Sequence, residues 1–278
     1  MDSTDASQPR FKILHPSSSV VPEDHPVLQE IRQHLLNRTP GFQVTVRAGD
    51  PLFVRERHAE AALSWLQSVF TIRSPFIHDD YDYLRHSVRE TRCWVRGSAQ
   101  MIEARYAIQY LTTAEEERMI GEKLREIIEE CGLNRKSDFQ KVKFVYSYIL
   151  DHVEYDYSLA NHSAYHALFE RKAVCEGCAM LVYRFLSNVN VPCRIITGQG
   201  LRDRHGWNIV KLEGKWYYLD VTWDLYHGRS FQIWQNLQWF LKGQQDFPSH
   251  TRDALFDNEA FHARYPIADR GYFSGRTG

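Results

Sequence analysis

Apolar positions along this chain change their period several times, and each change marks an element. From Pro26 to Arg38, Val27, Ile31, Leu35 and Leu36 recur at helical spacing until Thr39-Pro40 stops the pattern. Phe42 to Val46 alternates as a half-buried strand does, and Glu56 to Phe70 returns to helical spacing through Ala62, Leu63, Leu66 and Val69. Between Tyr81 and Tyr110 the segments TRCWVRG and ARYAIQYL are rich in strand formers and are separated by Gly97-Ser98, which predicts an antiparallel pair. Thr113-Ala-Glu-Glu116 has the spacing of a capping box, and Met119, Ile120, Leu124, Ile127, Ile128 and Cys131 line one helix face before Gly132 ends it. A further helix is expected over Asp138–His152, with Ser137 as N-cap and Val142, Val145, Ile149 and Val153 turned inward.

The pattern then becomes chemically informative. AVCEGCAMLVYRFL reaches Cys175 by an irregular approach and turns helical directly afterwards, so Cys175 is predicted at a helix N-terminus. The unpaired amides and positive dipole end there stabilise a thiolate. Asn190-Val-Pro192 closes the helix, Arg194 to Thr197 reads as a strand, and a loop over Gly198–Arg204 delivers His205-Gly206-Trp207-Asn208 into the strand WNIVKL. Glu213-Gly214 is a tight turn into WYYLDVTWD. If it is a two-residue hairpin loop, Leu212 opposes Lys215, Trp207 opposes Asp220, and the period of two puts His205 and Asp220 on one face. A thiol at a helix start, a histidine at a strand start and a carboxylate on the adjacent strand are the parts of a Cys-His-Asp triad. In it Cys175 attacks a carbonyl carbon, His205 moves the proton, and Asp220 fixes the imidazole tautomer; the amide of Cys175 is a natural oxyanion donor. Tyr165 is a candidate second donor, and Glu176, Trp207 and Trp223 are candidates for the cleft, although aromatic residues in strands more often build core.

These motifs, AVCEG around Cys175, HGWN around His205 and WYYLDVTWD around Asp220, resemble those of the transglutaminase-like superfamily in order and spacing. The flanks VEYD (153–156), SAYHAL before the cysteine and WFLKGQQDFPSH after the aspartate resemble bacterial members, so the likeness covers roughly residues 113–250. It implies an α+β fold of papain-like arrangement, with the nucleophile helix packed on an antiparallel β-sheet. It also implies acyl transfer from an amide, a glutamine side chain or peptide, through a Cys thioester to an amine or water. Protease or amidase activity, an amide synthase fed by a thioester donor, and a non-catalytic binding protein on the same fold stay open as alternatives. HGWN has glycine where alanine is commoner in such proteins, a change expected to leave the histidine in place. No acidic loop has calcium-ligand spacing, so calcium dependence is not expected.

The expected organisation is a flexible polar leader at 1–20, an N-terminal α/β extension over 21–112 and the catalytic domain over 113–278. Composition adds mainly exclusions. Thirty-four basic against 35 acidic residues give a formal charge of -1, so no global field favours nucleic acid or an anionic membrane. No apolar run is long enough for a membrane span and the N-terminus lacks a secretory pattern, which makes the cytoplasm the default location. Five cysteines are too few and odd in number for a disulfide scaffold. The expected partners are therefore a protein, peptide, acyl-amide or thioester substrate and an amine acceptor. No cofactor is signalled. A redox pair Cys175-Glu-Gly-Cys178 would leave His205 and Asp220 unexplained, and a zinc site would need Cys193 and His205 as well. Cys178 should pack on the core. Arg194 is an alternative partner for Asp220, His78-Asp79-Asp80-Tyr81-Asp82 reads as a solvated turn rather than a metal loop, and His250 has no role that spacing can assign.

Overall fold

The computed structural model describes residues 24–71, 81–201, 203–227 and 237–274. The polar leader and the His78–Asp80 part of the acidic turn lie outside the described residues. The rest falls into two compact units that meet in sequence at Ala114 and Glu115.

The first unit contains α1 (Pro26–Leu36), β1 (Gly41–Arg47), α2 (His58–Val69), α3 (Tyr81–His86), β2 (Val88–Gly97) and β3 (Met101–Tyr110). Its sheet has the order β1-β3-β2 and is antiparallel throughout, with Phe42 and Cys93 both opposite Tyr106. The alternating inward residues Phe42, Val44, Val46, Ile102, Ala104 and Tyr106 meet Leu28, Ile31, Leu35, Trp65 and Leu66 of the helices in one core. Tyr81 and Asp82 correct the expectation of a solvated turn. They open α3, with Asp82 buried and Arg85 placed one turn on at 3.7 Å.

The second unit contains α4 (Ala114–Glu130), α5 (Asp138–His152), β4 (Glu154–Tyr155), a π-helical turn (His166–Glu170), β5 (Lys172–Ala173), α6 (Cys175–Asn188), β6 (Cys193–Gln199), β7 (Arg204–Leu212), β8 (Lys215–Leu219), α7 (Val221–Tyr226), β9 (Thr251–Arg252) and α8 (Glu259–Arg264). Ser137 is the N-cap of α5, as the spacing predicts, and the structure adds a capping box with Gln140. The larger sheet, β8-β7-β6-β9, is antiparallel in every pairing. Helix α6 lies against β6 and β7, with α5 packed on the helix. Trp207, Ile209, Trp216 and Tyr218 join the C-terminal residues Trp239, Phe247, Phe256, Phe261 and Tyr265 in an aromatic core. Asn208 points the other way and donates to the carbonyls of Ala179 in α6 (3.0 Å) and Arg194 in β6 (3.3 Å). That buried amide ties the helix begun by Cys175 to the strand that carries His205. The fold is thus α+β, with the cysteine helix packed on an antiparallel sheet.

Candidate active site

Cys175 is the first residue of α6, and its approach is fixed from upstream. The buried Asp156 accepts hydrogen bonds from the amides of Ser158, Ala160 and Asn161 and from the Ser158 hydroxyl. Those bonds, with the Ser158 hydroxyl foremost, hold its carboxyl low, at about 2. The turn so formed presents the Asn161 carbonyl to the amide of Val174, the N-cap of α6. Tyr155 pairs with Ala173 on the parallel β4–β5 bridge. At Gly177 a side chain would come within 2.9 Å of both Ala173 Cβ and the Ser163 carbonyl, so the glycine of AVCEG lets this turn close on the helix start.

The Glu213-Gly214 hairpin has the predicted register, with Leu212 opposite Lys215 and Asn208 opposite Leu219. Asp220 corrects one expectation: it is not a strand residue. The strand ends at Leu219, and Asp220 is the N-cap of α7, its Oδ1 accepting from the Trp223 amide at 3.2 Å. The chain turns there because the carboxylate satisfies an otherwise unpaired helix amide. This leaves Oδ2 for His205, whose Nε2 lies 2.7 Å away across the diagonal of the hairpin. The Asp220 side chain is fully buried and that of His205 is 8% exposed. The second ring nitrogen of His205 is left for another partner, and Cys175 lies near enough to strengthen the ring's hold on its proton. Burial disfavours the charged form of each partner, but for both groups their mutual charge and hydrogen bond outweigh it. His205 is held well above the ordinary imidazole value, and Asp220 well below the ordinary carboxylate value.

Three further residues brace this arrangement. Tyr146 of α5 donates to the carbonyl of Asp220 (3.0 Å) and to Oδ2 of Asp224 (2.6 Å). Asp224, fully buried, also accepts from the amides of Gln238 and Trp239, and the Trp239 carbonyl receives the amide of Asp220. The third is His250, whose Nε2 lies 3.0 Å from Asp220 Oδ2. Spacing concealed it, because the loop that returns it to the site is irregular. His205, Asp220 and His250 offer ligand atoms within 4.8 Å of one another. Both histidines are hydrogen bonded to Asp220 Oδ2, so an ion there would displace the hydrogens of those two bonds.

The other candidate residues divide. Trp223 sits on α7, not in a strand, with its ring 5.3 Å from His205; Trp207, 1% exposed, lies in the core beneath the histidine at 5.9 Å. Glu176 follows the cysteine and pairs with His162 at 3.2 Å. The ring of Tyr165 packs on Phe169 at the start of the π-helical turn. Burial pushes the Cys178 thiol up to about 12. Arg194 stacks on Tyr265 at 4.5 Å, while Asp220 is held by the two histidines. Gly206 has room for a methyl group, the nearest atom to an added Cβ being the Ile196 carbonyl at 3.9 Å. Its departure from alanine therefore leaves the histidine strand undisturbed. An aromatic trio, Tyr155, Tyr157 and Tyr226, joins the β4 side to the α7 side with ring centroids 5.1 to 5.8 Å apart. Tyr157 and Tyr226 are largely exposed.

Residues 125–221 match the model of the transglutaminase-like superfamily. Over 118 residues the chain is 30% identical to the kyphoscoliosis peptidase of Mus musculus and 29% identical to that of Homo sapiens. The match takes in 36% of this chain and 18% of either relative, so it spans under a fifth of their length. Among solved structures, a TGase is 16% identical with a TM-score of 0.36, over 49% of this chain and 44% of that one. A putative cysteine protease from Cytophaga hutchinsonii is 19% identical with a TM-score of 0.33, over 48% and 61%. Among the described residues no helix is long and apolar enough to cross a membrane.

Proposed function

The chain belongs, through residues 125–221, to the transglutaminase-like superfamily, and on that premise we propose that it is a cysteine enzyme taking an acyl group from an amide onto Cys175. His205 receives the thiol proton, and the thiolate attacks the amide carbon. The C–S bond forms, the C–N bond breaks, and His205 returns the proton to the leaving amine. Water or a second amine then attacks the thioester, giving its proton to His205, and the thiolate is released. Asp220 keeps the His205 proton on Nε2, so that the other nitrogen faces the thiol. The helix-start amide of Cys175 is suited to stabilise the oxyanion.

The observation that carries this reading is the buried 2.7 Å bond between His205 Nε2 and Asp220 Oδ2, with a cysteine at a helix start near enough to act on the same histidine. A structural ion pair needs no thiol on its far nitrogen. The substrate proposed is a peptide or protein amide, lying along the Tyr155–Tyr157–Tyr226 wall. Transfer to an amine and hydrolysis use the same residues and differ in whether the cleft admits water. The peptidase name of the relatives favours hydrolysis as the second reading.

The chain and its Cys175→Ala variant are incubated with glutamine-containing peptides, with and without a biotinylated primary amine. Ammonia release, amine incorporation and chain cleavage are read by mass spectrometry. Cysteine-dependent amine incorporation supports the transferase, cysteine-dependent cleavage supports the peptidase, and the absence of all three products over a broad peptide pool contradicts both.

A further inference from the structure

Asp220 Oδ2 carries two histidines. His250 Nε2 is 3.0 Å from it, and the His250 side chain is 1% exposed. His250 Nδ1 lies 3.2 Å from the Pro248 carbonyl. A carbonyl and an ionised carboxylate only accept, so the ring satisfies both with a hydrogen on each nitrogen. Its surroundings suit the resulting cation. Phe247 stacks on it with centroids 3.9 Å apart, and Trp223, Trp207 and Trp239 stand at 4.1, 5.0 and 5.2 Å. Aromatic faces attract a cation most where water is excluded. The backbone is shaped to bring the ring there. Ser249, just before it, adopts a left-handed φ of 72°, uncommon for a residue with a side chain. Just after it β9 pairs with Gly198 and Gln199, and a Cβ at Gly198 would meet the Thr251 carbonyl at 2.0 Å.

We infer that His250 is a positioning residue for the reaction proposed above, a cation that shares Asp220 with His205 and so limits the part of the carboxylate's charge that His205 feels. Held by Asp220 alone, His205 would keep its proton too firmly to act as a base in the second half of the reaction. Among the described residues, the charged and titratable groups facing His250 are Asp220 and His205, with Cys175 beyond His205. Tyr218 stacks behind Phe247, and Arg252, two residues on, pairs with Asp257. The His205 and His250 rings are 5.6 Å apart. At an effective dielectric of about 20, removing the second cation should raise the His205 titration midpoint by roughly one to two pH units.

The test is nitrogen NMR of the full chain labelled at histidine, between pH 5 and 10, for the parent, His250→Gln and His250→Phe. Glutamine keeps a donor for Asp220 without the charge; phenylalanine fills the cage with neither. The inference expects His250 to hold hydrogens on both nitrogens at pH 7, and both variants to move the His205 midpoint upward, the alkaline limb of the rate following it. A His250 with one bare nitrogen at pH 7, or a His205 midpoint indifferent to both replacements, overturns it. A purely steric role would let glutamine reproduce the parent midpoint, which also overturns it. Cys175 alkylation in the same samples reads the underlying proposal separately: loss of selective labelling counts against the enzyme, whatever His250 does.

Discussion

Replacing Asp220 by Asn isolates one charge from everything else this residue does. Asparagine caps a helix as well as aspartate, so the bond from the Trp223 amide and the start of α7 survive. What changes lies at the Oδ2 position, where an NH2 group now faces Nε2 of His205 at 2.7 Å and Nε2 of His250 at 3.0 Å. A donor there requires a lone pair on His205 Nε2, which drives the imidazole hydrogen to the nitrogen that serves Cys175. The histidine can then no longer take the thiol proton. The charge lost is worth about 6 kcal/mol at that distance and an effective dielectric of 20, an upper figure because local dipoles and water relax around the change. Even a third of it lowers the basicity of His205 by more than about one pH unit, and with the wrong tautomer the expected loss in kcat/KM is roughly a thousandfold or more. The assay is the thiolate absorbance at 240 nm, taken as the difference between the chain and its Cys175→Ala variant from pH 4 to 9. Asp220→Asn should abolish the thiolate signal near neutral pH while far-ultraviolet dichroism stays the same. A thiolate signal equal to the parent's would refute the role given to Asp220.

Other consequences follow from the same geometry. Cys175→Ala should abolish turnover, whereas Cys178→Ala, which removes a buried thiol with no part in the chemistry, should retain most of it and cost roughly 1 kcal/mol in denaturant unfolding. Asp224→Ala strips the acceptor from Tyr146 and from two amides, so unfolding should become easier by about 3 kcal/mol, with a visible fall in Tm. Stability should also respond to pH in a definite sense. His205 rises from 6.5 to about 10 on folding, so its contribution is whole below pH 6.5 and fades as pH climbs towards 10. Asp220 and Asp156 fall from 3.8 to about 2, so theirs is whole above pH 3.8 and fades as pH drops towards 2. Tm should therefore decline on both sides of a plateau between about pH 4 and 6.5, and Asp220→Asn should flatten the alkaline slope. Replacing Tyr157 or Tyr226 by Ala, away from the reacting atoms, should raise KM several-fold with kcat nearly kept.

What could be read from the sequence followed from periodicity and from local rules. The N-cap at Ser137, the helix start at Cys175 and the hairpin at Glu213-Gly214 each rest on contacts a few residues apart, and each stands in the structure where spacing puts it. WYYLDVTWD reads as one strand through Asp220 because its neighbours are apolar, yet the carboxylate caps α7 and bends the chain out of the sheet. The helix that Tyr81-Asp82 opens escapes periodicity because six residues are too few to show a period. Asp156, Tyr146, Asp224 and His250 were invisible as a group because their partners lie across loops with no repeat to follow. A clue did exist in VEYD and TWD, where an aspartate sits amid apolar neighbours and must find donors once buried.

The central claim is that Cys175 is a thiol activated by His205. Its most direct test is site-resolved labelling with limiting iodoacetamide across pH 4 to 9, comparing the parent chain with His205→Ala. The account predicts selective modification of Cys175, already fast near neutral pH and sharply slowed by loss of the histidine. Labelling spread over the accessible cysteines, rising only at alkaline pH and indifferent to His205, would contradict it.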